Sequence, residues 1–135
     1  MDMSGFMCYD WKKTKKEAVF IKDMEDNQIL KKKSQTEYYK NTGIKLLVIH
    51  EICEFAQKYD IKKVILFGSR ARGDFKRTSD IDLACTGGNY VGFALDVDDL
   101  TSTLLQYDIV NLDGAVQKEL VDSIRKDGIT IYEKV

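Results

Sequence analysis

The stretch from Asp80 to Thr86 alternates strictly, with Asp80, Asp82 and Ala84 on one face and Ile81, Leu83 and Cys85 on the other. Alternation with a period of two is the pattern of a strand, because successive side chains leave a pleated backbone on opposite sides. A sheet must therefore form part of the fold, and one face of this strand carries two carboxylates in succession.

The flanking segments supply partners for that strand. Residues 44–59 repeat with a helical period, placing Ile44, Leu47, Val48, Ile52, Phe55, Ala56 and Tyr59 on one stripe. Lys63 to Phe67 is a short β-branched and aromatic run ended by Gly68, which reads as a buried strand. Residues 69–72 suit a short helical turn and 73–79 a polar loop. Gly87-Gly88 ends the alternating strand, and a helix is expected over about 93–105, its start blurred by Gly92 and by Asp96 to Asp99. Residues 107–112 read as a third strand, with Asp108, Val110 and Leu112 on one face. Val116, Leu120 and Ile124 are spaced by four in a helix over 115–126, with Gly128 as its C-cap, and 129–132 can form a last strand. The fold class is α/β or α+β, a small mixed sheet flanked by helices.

A chain of 135 residues fits one domain and can bury a core without disulfides or structural metal. Cys8, Cys53 and Cys85 form no CxxC pair, which argues against zinc ribbons and redox dithiols, and a single histidine, His50, excludes His-rich zinc sites. No apolar run approaches the ~20 residues that span a bilayer, and the N-terminus has no signal-peptide pattern. A cytoplasmic protein without membrane association is expected. The net charge of −1, from 21 basic and 22 acidic residues, gives no general pull toward nucleic acid, so no direct nucleic-acid binding is expected. The charge is unevenly spread: residues 11–40 hold nine Lys, whereas residues 74–113 hold eight Asp. Residues 1–41 read as an N-terminal extension, either loosely ordered or a docking arm, with a possible hairpin around Asp26-Asn27. Residues 42–135 read as the functional domain.

Asp-x-Asp on a strand sets two carboxylates about 7 Å apart on one side. Such a pair repels unless a cation lies between, so it can cradle the hard divalent metals of phosphoryl transfer. By itself the pattern equally fits an edge strand with a solvated face. The upstream loop adds weight. Gly68-Ser69 follows the first strand directly, and there a glycine allows close approach to a phosphate while Ser69 and helix-start N–H groups can bond it. Arg70 and Arg72 could meet phosphate oxygens, or could be solvated or paired to acids. Gly68 and Gly73 have P-loop spacing, but Asp74-Phe75 stands where Lys-Ser/Thr is needed.

The sequence Gly68-Ser69-Arg70-Ala71-Arg72-Gly73, a gap, Ser79-Asp80-Ile81-Asp82-Leu83 and then Tyr107-Asp108-Ile109-Val110 resembles the signature of the DNA polymerase β-type nucleotidyltransferases. More narrowly it resembles the minimal, MNT-type members. The resemblance covers roughly residues 44–135 and implies a polymerase β-like fold. It implies that Asp80, Asp82 and Asp108 bind two Mg²⁺, with Asp108 able to act as base, and that Gly68 and Ser69, with Arg70 and Arg72, grip the phosphates of ATP. Asp113 competes with Asp108 for the third place but suits a turn or N-cap. Minimal members are commonly antitoxins that transfer AMP to a tyrosine of a HEPN-domain ribonuclease toxin, and this is the leading expectation. It fits a catalytic core that fills nearly everything after Gly43, so that the acceptor brings its own surface. A small hydroxylated acceptor, with a homo-oligomer completing the pocket, and a non-catalytic binding antitoxin are the alternatives.

Overall fold

The computed structural model describes residues 37–134; the possible hairpin around Asp26-Asn27 and most of the expected extension lie outside them. The elements are α1 (Leu46–Lys58), β1 (Lys63–Phe67), α2 (Gly68–Arg72), β2 (Ile81–Thr86), α3 (Tyr90–Leu100), β3 (Tyr107–Asn111), α4 (Lys118–Asp127) and β4 (Ile129–Glu133). The four strands form one mixed sheet in the order β3-β2-β1-β4. β1 runs antiparallel to both β2 and β4, and β2 and β3 run parallel. A parallel pair cannot be joined by a tight turn, and α3 supplies the crossover.

Each face of the sheet carries its own core. On the first, α1 buries Val48, Ile49, Ile52, Cys53 and Ala56 against Val64, Leu66, Ile81, Leu83, Cys85 and Ile131, and α3 adds Phe93 and Val97. Removing each of the Val, Leu, Ile and Phe side chains from water stabilises the fold by about 1.5–3 kcal/mol. On the second face α4 lays Ile124 and Leu120 over Phe67 and Ala84. β2 is covered on both sides beyond Asp82, since Leu83, Ala84 and Cys85 are all buried.

Several bounds differ from the sequence reading. Tyr39, read as part of the extension, is buried in the first core, and Tyr38 bridges to Lys45. α3 starts at Tyr90 because the Asn89 side chain accepts a hydrogen bond from the Gly92 N–H at 3.1 Å, an N-cap that draws Gly92 into the helix. A side chain at Gly92 would meet the Tyr59 ring at 2.4 Å, so the glycine lets α3 approach α1. The same helix stops at Leu100 instead of 105, because Thr101 is extended and the Glu51 carboxylate holds Ser102 through its N–H and hydroxyl, each at 2.7 Å. α4 starts three residues later than read, and Gly128 follows it in an extended conformation, not the left-handed one of a usual glycine cap. A Cβ there would stand 2.3 Å from the Ile124 carbonyl oxygen. Among the described residues no helix is long and apolar enough to cross a membrane.

Candidate active site

The carboxylates lie on the second face, at the end of the sheet where β1 ends and β2 and β3 begin. Alternation sends Asp82 to the same side as Ala84, and the parallel register sets Asp82 beside Asp108. On its other flank Asp82 is paired with Phe67, the residue before Gly68. Asp80 lies just before β2 and is exposed, as is Asp108, while Asp82 is half-buried. Neither Asp80 nor Asp108 makes an ion pair or a side-chain hydrogen bond with a described residue.

Gly68 opens α2 with φ at +75°, and a Cβ there would stand 2.1 Å from Asp82 Oδ2. Only glycine lets the chain turn from β1 into α2 while leaving the carboxylate in place. Ser69 follows, partly exposed, at the first turn of α2. The Asp82 carboxyl is pushed up to about 6, by burial first and then by the charges of Asp108 and Asp80; Arg72 and Arg70 pull the other way. Three hard-oxygen donors therefore share a region with more negative charge than the nearby arginines offset, which is the environment that favours a divalent cation. Among the described residues no three His, Cys, Asp or Glu side chains are drawn together into a finished metal cage. The donor set fits Mg²⁺.

The arginines divide. Arg72 is partly exposed at the end of α2, with Nε 3.3 Å from Asp74 and a terminal nitrogen 3.7 Å from Asp127. Arg70 is only 2% exposed. Its Nε donates to the Ser79 carbonyl at 3.0 Å, Nη1 to the Thr42 carbonyl at 2.9 Å, and Nη2 to the Arg77 carbonyl at 3.2 Å and that of Lys76 at 3.5 Å. The expectation that Arg70 grips phosphate is corrected on this ground: its guanidinium is buried and each of its three nitrogens donates to a backbone oxygen. The roles of Thr42, Gly43 and Phe75 around it were missed, since no spacing in the sequence links residues 42 and 70.

Asp113 accepts hydrogen bonds from the Thr86 hydroxyl at 2.5 Å and the Gly87 N–H at 2.6 Å. It closes the turn after β2 and does not share the site; nor does it cap α4, whose N-cap position is held by Gln117 without a side-chain hydrogen bond. A groove of about 600 Å³ lies away from the carboxylates, between Tyr38, Lys45, Val48, Arg77 and Leu104.

The profile of the family described as Polymerase beta, Nucleotidyltransferase matches residues 50–135. A protein of Methanocaldococcus jannaschii, named provisionally as a protein adenylyltransferase, is 50% identical over 50 residues. That match covers 37% of this chain and 48% of the relative, so the chain spans about half the length of the curated relative it matches. Two crystal structures share the fold. One, a toxin-antitoxin with AMP-PNP, is 22% identical with a TM-score of 0.52, covering 64% of this chain and 73% of its own. The other, a mutant of the toxin-antitoxin MntA-HpeT, is 20% identical with the same TM-score and the same coverage.

Proposed function

The chain belongs to the Polymerase beta, Nucleotidyltransferase family, and from that membership we propose that it is a Mg²⁺-dependent protein adenylyltransferase. It moves AMP from ATP to a tyrosine hydroxyl of a partner protein, and serves in the cytoplasm as the antitoxin to a HEPN-domain ribonuclease toxin. The observation that carries the reading is the grouping of Gly68, Asp82 and Asp108: the glycine pressed against one carboxylate, and the second carboxylate beside it in the sheet. The name of the Methanocaldococcus relative supports a protein acceptor, and the fold shared with toxin-antitoxin structures supports an antitoxin.

Asp80, Asp82 and Asp108 would hold two Mg²⁺, which when bound neutralise the triphosphate and ease ionisation of the acceptor hydroxyl. Gly68 keeps the entry to α2 open, so that backbone N–H groups and the Ser69 hydroxyl can donate to the β- and γ-phosphates. Arg72 can exchange its surface carboxylates for a phosphate oxygen. Asp108, exposed at the sheet edge, takes the proton from the attacking tyrosine oxygen. That oxygen bonds to the α-phosphorus, the bond from this phosphorus to the bridging oxygen of the β-phosphate breaks, and pyrophosphate leaves with the electron pair.

The test is to incubate the protein with α-labelled ATP, Mg²⁺ and the product of the neighbouring gene, beside an Asp80→Asn/Asp82→Asn double variant. AMP found on a partner tyrosine by mass spectrometry, and missing with the variant, is the expected result. A stable complex without any transferred nucleotide would leave a contact-only binding protein instead.

A further inference from the structure

The most densely bonded side chain in the described structure is a buried cation without a carboxylate partner. Arg70 forks onto the carbonyls of Thr42, Lys76, Arg77 and Ser79, and its guanidinium stacks 4.7 Å from the centre of the Phe75 ring. These contacts tie the turn before α1, 28 residues upstream, to helix α2 and to the loop from Gly73 to Asp80 that follows it. A side chain at Gly43 would meet Phe75 at 2.4 Å and Arg70 Nη1 at 2.8 Å, so the turn is closed tightly over the guanidinium. A planar fork can hold several carbonyls at fixed angles, whereas a lysine ammonium on a flexible stem cannot.

The carbonyl bonded to Nε belongs to Ser79, one peptide from Asp80. Asp80 has no bond of its own to a described residue, so the backbone beside it determines where its carboxylate points. We propose that Arg70 is a positioning residue: by clamping the 76–79 carbonyls it aims Asp80 at the cation site shared with Asp82. The guanidinium also feels the charge of both carboxylates: burial pulls it below its ordinary pKa, while Asp80 and then Asp82 push it back up. This inference rests on the nucleotidyltransferase reading of the site.

Its test is a direct titration of Mn²⁺ by electron paramagnetic resonance, without ATP, on the full chain and on Arg70→Lys, with amide hydrogen exchange over 76–81 followed in parallel. The variant keeps the charge and loses the fork. The expected result is Mn²⁺ binding weaker by about 10- to 100-fold, the range for groups that orient metal ligands, with faster exchange in the 76–81 amides and an unchanged KM for ATP at saturating Mn²⁺. Phe75→Leu, which removes only the stacked ring, should move both readouts the same way by a smaller factor, and it serves if Arg70→Lys does not fold. Mn²⁺ affinity equal to wild type in a variant whose loop exchanges faster overturns the proposal while leaving the catalytic reading intact. A raised KM for ATP with loop and Mn²⁺ affinity unchanged overturns it in favour of phosphate contact. A wild-type protein that takes up no Mn²⁺ overturns both.

Discussion

Gly68 and Asp82 occupy adjoining positions so closely that a Cβ on the glycine would stand 2.1 Å from the carboxylate oxygen Oδ2. The glycine also has a φ of +75°, which an L side chain enters at a cost of about 1–2 kcal/mol. Gly68→Ala should therefore lower stability by about 1–3 kcal/mol and displace either α2 or the carboxylate. A displacement near 1 Å in such a site costs about 100-fold in rate. Thermal unfolding and pyrophosphate release, measured on the same preparation, check both; an alanine variant with full activity would mean that the contact does not matter to catalysis.

The carboxyl of Asp82, raised to about 6, sets a pH dependence whose sign can be worked out. The folded protein favours the protonated form, so the contribution of this group to stability is complete below its ordinary value near 4 and is lost as pH rises through 6. In metal-free protein, wild type should therefore lose stability relative to Asp82→Asn between about pH 4 and pH 6, with the difference constant above. Added Mg²⁺ at pH 7 should stabilise wild type and not the variant, and below pH 6 its binding should release a proton. Melting curves from pH 4 to 8, with and without Mg²⁺, decide this. A difference that is flat across the range would mean that burial and the neighbouring acids do not raise the Asp82 carboxyl.

The succession of helices and strands along the chain and the carboxylate face were legible because they follow from local rules. Alternation alone sends Asp82 and Ala84 one way and Leu83 and Cys85 the other, and burial in the structure agrees. The motif at Gly68-Ser69 lies at the end of β1, against Asp82. What the sequence did not show depends on contacts between distant residues. The end of α3 is set by Glu51 holding Ser102, 51 residues away. The fate of Arg70 is set by Thr42, Phe75 and Ser79, so an arginine beside a phosphate-type glycine reads as a phosphate ligand until the carbonyls around it are seen. Tyr39 read as part of an extension because its burial depends on the hydrogen bond from its N–H to the Ile44 carbonyl, which folds that turn onto the core.

Arg72 separates binding from stability. Its ion pairs with Asp74 and Asp127 are partly exposed, and such pairs contribute only about 0–1 kcal/mol. Arg72→Ala should leave the melting temperature nearly unchanged. If the guanidinium leaves those acids for the triphosphate, a charge-assisted hydrogen bond worth about 1.5–3 kcal/mol is lost and KM for ATP rises about tenfold or more. Steady-state kinetics with varied ATP read this directly, and an unchanged KM would confine Arg72 to tying α2 to α4.

Asp108 offers the sharpest division of roles among the carboxylates. It lies beside Asp82 in the parallel register but is exposed on the edge strand, without the crowding that Gly68 imposes on Asp82. Replacing it should spare the core, because its side chain is exposed and belongs to neither core cluster. As the group that takes the acceptor proton, it contributes about 100- to 10,000-fold to the rate. Asp108→Asn should therefore lower kcat by at least about 100-fold while the melting temperature holds. Raising the pH should restore part of the rate, as the acceptor phenol ionises without help near its own pKa of about 10. An Asp108→Asn variant whose rate stays equally low from pH 7 to 10 would instead assign Asp108 to cation binding alone, and the acceptor proton would have to leave to solvent.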